Sequence, residues 1–136
     1  HLTAWHADQR EEAGVDSGWG LAFSVSDLID DTWEPFIRGG YAKDGGSLWE
    51  RSLSIGLGYH TRKGGDLVGI GLNWGHPSEA SFGAGLDDQY TVELFYRLQL
   101  FKILTITPDV QLLFNPAQNP QEDVIAIFGF RVRLSF

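Results

Sequence analysis

The stretch Asp123-Val-Ile-Ala-Ile-Phe-Gly-Phe-Arg-Val-Arg-Leu-Ser-Phe136 decides how the fold is read. Taken by twos, Val124, Ala126, Phe128, Phe130, Val132, Leu134 and Phe136 form one set. Ile125, Ile127, Gly129, Arg131, Arg133 and Ser135 form the other. Side chains alternate between two faces with this period only in a β-strand. One face is apolar throughout, and the other turns polar towards the end. Lipid on one side and a water-filled lumen on the other produce such a strand in an outer-membrane β-barrel. A soluble edge strand is the alternative that this segment alone leaves open.

Composition sets the outer bounds. At 136 residues the chain has room for one domain. No apolar run reaches the eighteen or so residues that a transmembrane helix needs, but alternating barrel strands never show such a run. The net charge of −8 argues against a phosphate-binding surface, so nucleic acid is not an expected partner. Seventeen Gly and 13% aromatics favour a β architecture with tight turns and aromatic interface rings. Cys is absent, which fits an oxidising compartment without disulfides. Met is absent too, and the chain starts His1-Leu-Thr-Ala-Trp-His6 as if within a strand. A processed product, or a piece of a longer protein, is therefore expected.

Working outward from the last strand, eight strand-like segments separate: 1–7, 17–27, 32–42, 47–60, 66–76, 87–100, 104–115 and 123–136. Residues 90–101 resemble a helix at first sight. Tyr90, Val92, Leu94, Tyr96, Leu98 and Leu100 nevertheless alternate with Gln89, Thr91, Glu93, Arg97 and Gln99, and only Phe95 breaks the pattern. Long connections (8–16, 77–86, 115–122) fall at one end of the sheet. Shorter turns (28–31, 61–65, 101–103) fall at the other, with 43–46 as a short member of the long-loop end. Outer-membrane barrels show this asymmetry.

The same alternation assigns a lipid side across the chain. It holds Trp19, Leu21, Phe23 and Val25; Trp33, Ile37 and Tyr41; Leu53, Ile55, Leu57 and Tyr59; Val68, Ile70, Leu72 and Trp74; and the even residues of 90–100. Leu104, Ile106, Val110, Leu112 and Phe114 complete it. Aromatics near the segment ends are expected to form girdles at the headgroups. Pro35 and Pro108 fall on this side and count against regular strands, because proline removes a ladder donor. The opposite side is rich in Gly and Ser, as an open lumen favours.

Three longer motifs carry a family resemblance. They are Gly69-Ile-Gly-Leu-Asn-Trp-Gly-His-Pro77, Leu86-Asp-Asp-Gln-Tyr-Thr-Val-Glu-Leu-Phe-Tyr-Arg-Leu-Gln-Leu100 and Ile106-Thr-Pro-Asp-Val-Gln-Leu-Leu-Phe-Asn-Pro-Ala-Gln-Asn-Pro120. With Trp33-Glu-Pro-Phe-Ile-Arg-Gly-Gly-Tyr41 and the Asp44-Gly-Gly turn, they resemble the C-terminal part of the carbohydrate-selective porins, the OprB family. The resemblance implies a sixteen-stranded transmembrane antiparallel up-and-down β-barrel in the outer membrane of a Gram-negative bacterium. Residues 1–136 would then be a single β-barrel domain or, preferably, the C-terminal half-barrel of a longer porin. An eight-stranded barrel closed on itself would fill its interior with side chains and conduct nothing.

Alternation places Glu34, Arg38, Glu93, Arg97, Asp109, Gln111, Arg131 and Arg133 in the lumen. Arginines and carboxylates there set the field that a solute feels, and they exchange hydrogen bonds with sugar hydroxyls. The plainer reading is that these charges pair with one another and stiffen the wall. Trp5 and Phe36 are candidates for stacking on sugar rings or for simple packing. The expected partners are sugars and small solutes, lipid and lipopolysaccharide; the acidic outer loops are read first as solubilising charge and second as holders of divalent ions that bridge lipopolysaccharide, and a homo-oligomer is left open. No cofactor or metal is expected. His1, His6, His60 and His76 lack metal-site spacing, and no nucleophile elbow or phosphate loop occurs, so an enzyme is not expected. Two rival functions remain at this point: a structural eight-stranded outer-membrane barrel without a channel, and a soluble β-barrel binding a small ligand.

Overall fold

The computed structural model describes residues 1–61 and 65–135. Eight strands run β1 Leu2–Ala7, β2 Gly18–Ser26, β3 Trp33–Lys43, β4 Trp49–His60, β5 Leu67–Pro77, β6 Gln89–Phe101, β7 Leu104–Phe114 and β8 Val124–Leu134. They form one sheet in chain order, each antiparallel to the next. Helix is confined to two loop turns, Glu11–Ala13 and Glu79–Phe82. Each expected strand segment is present, with ends shifted by a few residues. The sheet is not closed: β1 and β8 are its two edges. No helix among the described residues is long and apolar enough to cross a membrane, which has no bearing on strands.

The distribution of apolar residues is the reverse of that in a soluble domain. Among the described residues only Ala42, Leu67 and Ala117 are buried hydrophobics. Large apolar side chains stand exposed along one face of every strand, from Leu21, Phe23 and Val25 on β2 to Phe128, Phe130 and Val132 on β8. These are the residues that alternation assigned to lipid. Phe136 lies outside the described residues. Cross-strand register lines up Trp33, Tyr59, Val68 and Tyr96 near the short-turn end. Near the long-loop end it lines up Trp74, Tyr90, Phe114 and Val124. Trp33 packs on Tyr59 with ring centroids 4.7 Å apart, and Trp19 on Tyr41 at 5.5 Å.

Pro35 and Pro108 lie inside strands, as the expected segments 32–42 and 104–115 place them, and register explains how each is accommodated. Pro35 O accepts from Asp27 N at 3.3 Å, so the Pro35 backbone faces the β2 side just beyond the end of β2 at Ser26. The missing donor therefore removes no ladder bond. Pro108 sits where the β6–β7 pairing is broken. Pairs run continuously from Tyr90–Phe114 to Phe95–Asp109 and resume only at Leu98–Ile106. The ladder gives way locally where the donor is lacking.

The short turns have definite local causes. In the β2–β3 turn Asp30 and Asp31 take positive φ, which Asp tolerates better than most residues. Thr32 then donates its N–H to Ile29 O and its hydroxyl to Asp30 O. Asp66 is nearly buried just before β5. Its carboxylate accepts the Gln99 N–H at 3.0 Å and the Tyr96 hydroxyl at 3.1 Å, tying the start of β5 to β6. Arg62, Lys63 and Gly64 of the expected 61–65 turn lie outside the described residues.

Candidate functional site

The second face of the sheet is concave and polar. One register row across it reads Glu34, Gly58, Gly69, Phe95, Asp109, Gly129. The next row towards the long-loop end reads Phe36, Gly56, Gly71, Glu93, Gln111, Ile127. A concavity of about 370 Å³ gathers Glu34, Arg38, Glu93, Arg97, Asp109 and Arg131 from four strands. Arg133 joins Arg97 and Arg131 in an adjoining concavity of about 310 Å³ at the short-turn end. Gln111 borders the first, donating from Nε2 to Asp109 Oδ2 at 3.3 Å. All eight expected lumen residues thus lie on one face.

Glycine on this face has a more specific use than leaving space. The Phe36 ring lies where a Gly56 side chain would be, and the Phe95 ring where a Gly69 side chain would be. Trp5 occupies the same kind of position over Gly20, and Trp49 over Gly75. Each ring reaches over the glycine of a neighbouring strand. Phe95, the one break in the alternation of β6, is accommodated in this way. Trp5 and Phe36, the stacking candidates, are both part of this lining. Asp109 leans over Gly129 in the same manner.

The charges pair only in part. His60 Nε2 lies 3.0 Å from Glu34 Oε2, a pair the sequence did not reveal. Arg38 sits over the Phe36 ring, 5.0 Å from its centroid, a cation–π contact. Among the described residues, Arg97, Arg131 and Arg133 make no ion pair within 4 Å. Glu34 is thus engaged by His60 and not by another of the eight expected lumen residues. Asn73 donates to Ser54 Oγ at 2.8 Å and ties β5 to β4 across the same face.

At the long-loop end the connections hold each other in sequence. Arg10 donates to Gly45 O at 3.1 Å, and Ser81 Oγ to Ser47 O at 2.6 Å. Asn115 Nδ2 donates to Asp88 O at 3.2 Å, and Ala117 N to Gln89 Oε1 at 3.0 Å. Asp88 is the centre of this cluster. Its carboxylate accepts from Trp74 Nε1 at 2.8 Å and lies 2.6 Å from His76 Nδ1. The hydrogen bond with His76, and then that from Trp74, hold the Asp88 carboxyl below the ordinary carboxylate range. Asp88 is thus not the plain solvated charge that an acidic loop usually carries, and no signal in the sequence marks it apart from Asp87. Among the described residues no group of three or more His, Asp or Glu could hold a metal ion.

A model of the carbohydrate-selective porins, the OprB family, matches residues 5–136. The chain belongs to this family. No curated protein and no solved structure matches it. Carbohydrate-selective porins are outer-membrane channels and not enzymes, and the all-β antiparallel sheet agrees with a partial porin barrel.

Proposed function

We propose that this chain forms half of a sixteen-stranded outer-membrane channel that passes sugars and small solutes by passive diffusion. The observation that carries this reading is the concave polar face. It presents arginines, carboxylates and hydroxyls to one cavity while the convex face presents bare apolar side chains. The open edges at β1 and β8 support it further. Hydrocarbon does not tolerate unpaired sheet edges, and further strands pairing with β1 and β8 would satisfy them. An eight-stranded barrel closed on itself would join β1 to β8, and a soluble β-barrel would need something to cover the apolar face. In this reading Glu34, Arg38, Glu93, Arg97, Asp109, Gln111, Arg131 and Arg133 line the lumen. The acidic outer loops, with Glu11, Glu12, Glu79, Asp87 and Glu122, face the lipopolysaccharide.

Several weak hydrogen bonds from such a wall offset the desolvation of a neutral sugar without trapping it. Glu93 and Arg97 lie on one strand and one face, two same-face steps or about 13 Å apart. They present an acceptor and a donor along the path. Glu93→Gln with Arg97→Gln keeps bulk and hydrogen bonding but deletes both charges. In the full-length protein the double variant is expected to assemble and to change selectivity between neutral sugars and small anions. Liposome-swelling rates over a sugar series test this. Unchanged rates and selectivity for every solute would remove both residues from the path.

A further inference from the structure

Among the described residues, three arginines at the short-turn end of the concave face make no ion pair. Arg97 comes from β6, and Arg131 and Arg133 from β8; β7 lies between them. Register sets Thr107 beside Arg131 and Thr105 beside Arg133, with Gln99 on the far side of Thr105. The concavity of about 310 Å³ is lined by all three guanidinium groups, His60, Gln99, Thr105 and Thr107, and no carboxylate is among its lining residues. Its volume falls within the roughly 300–1,000 Å³ of small-molecule sites. Of the three carboxylates in the neighbouring concavity, Glu34 is engaged by His60 and Asp109 by Gln111, and Glu93 lines that concavity but not this one. Thr105 donates to Gln99 Oε1 at 3.0 Å, which leaves its oxygen free to accept, and Thr107 carries a further hydroxyl.

Guanidinium groups stay charged at any working pH, so neighbouring arginines repel unless an anion enters. Their planar forks match carboxylate and phosphate oxygens in pairs. We propose that Arg97, Arg131 and Arg133, with Thr105 and Thr107, bind the oxyanion of a hydroxylated solute, that is, the carboxylate or phosphate of an acidic sugar. The arginines hold the charged group, and the threonines exchange hydrogen bonds with the hydroxyls beside it. This names a solute class for the proposed channel and rests on that reading. The acidic outer loops and this basic inner wall would then give the channel opposite charge at its two ends.

The test uses the full-length protein in planar bilayers, with gluconate, glucose 6-phosphate, inorganic phosphate and glucose added in turn. Gluconate or glucose 6-phosphate should reduce the chloride current at concentrations at least about tenfold below those of glucose, as charge-assisted hydrogen bonds would give. Whichever acts shows whether the group held is carboxylate or phosphate. Arg131→Gln with Arg133→Gln should abolish that advantage, and Arg97→Gln provides the same readout should the double variant not assemble. Acidic sugars no better than glucose would overturn the proposal, as would an advantage that survives these substitutions. Inorganic phosphate as effective as the sugar anions would overturn the part given to the threonines. Swelling of liposomes in glucose separates the two claims. A protein that passes no glucose defeats the porin reading, whereas one that passes glucose but does not prefer the acidic sugars defeats only this site.

Discussion

The convex and concave faces are built from alternate residues of the same strands and follow opposite rules. On the convex face side chains are large, apolar and exposed, as with Phe128 at 82% and Phe130 at 68%. On the concave face glycines lie beneath aromatic rings, and arginines stand without ion pairs. A sheet in water would bury its apolar side and wet its polar one. This sheet leaves both sides uncovered by protein, so each side is matched to a different solvent. The difference teaches that side-chain size on each face is set by what lies beyond it, rather than by a shared core.

Adjacent residues on β8 give the largest test of that contrast. Phe128 points outward, whereas Ile127 sits in the row of Glu93 and Gln111. Phe128→Arg should lower barrel stability by about 2–4 kcal/mol in lipid vesicles, and Ile127→Arg by less than about 1 kcal/mol. Equal losses by urea unfolding would mean that the faces are wrongly assigned. A smaller effect is expected inside the wall. Gly69→Ala sets a methyl group against the Phe95 ring and should cost about 1–3 kcal/mol by overpacking. Adding Phe95→Ala should recover much of that loss, and strictly additive losses would show that the ring does not rest on the glycine.

The smallest effect lies outside the barrel wall, at Asp88. Its folded pKa is lowered, so it contributes stability above the unfolded value near 3.9 that is lost as pH falls through the folded pKa. Proteolysis of the long loops should therefore rise between about pH 4 and more acidic conditions. Asp88→Asn should flatten that acid limb. An acid limb identical in the variant would place its cause elsewhere.

All eight strands and their two faces were legible in the sequence, because the two-residue period is a local property that needs no knowledge of neighbours. Parity alone therefore put Glu34, Arg38, Glu93, Arg97, Asp109 and Arg131 on the side where they meet. Whatever depends on register was not legible. Nothing along the chain says that Phe95 will lie on Gly69, that His60 will reach Glu34, or that Asp66 will take the Gln99 amide. How the two prolines are accommodated also depends on register. Pro35 is harmless because β2 ends at Ser26, and Pro108 because the β6–β7 ladder opens opposite it. Asp88 escaped notice because its partners Trp74 and His76 lie on the preceding strand, brought near only by pairing.

The rings that reach over glycine also shield the peptide groups beneath them. A glycine in a wetted wall exposes its backbone to water, which competes for ladder hydrogen bonds and opens a route to amide exchange. Phe95 above buried Gly69 closes that route, and Phe36 above half-buried Gly56 narrows it. In this way a sheet with water on one side keeps its weakest backbone positions dry, and the rings act as local protection against exchange as well as lining.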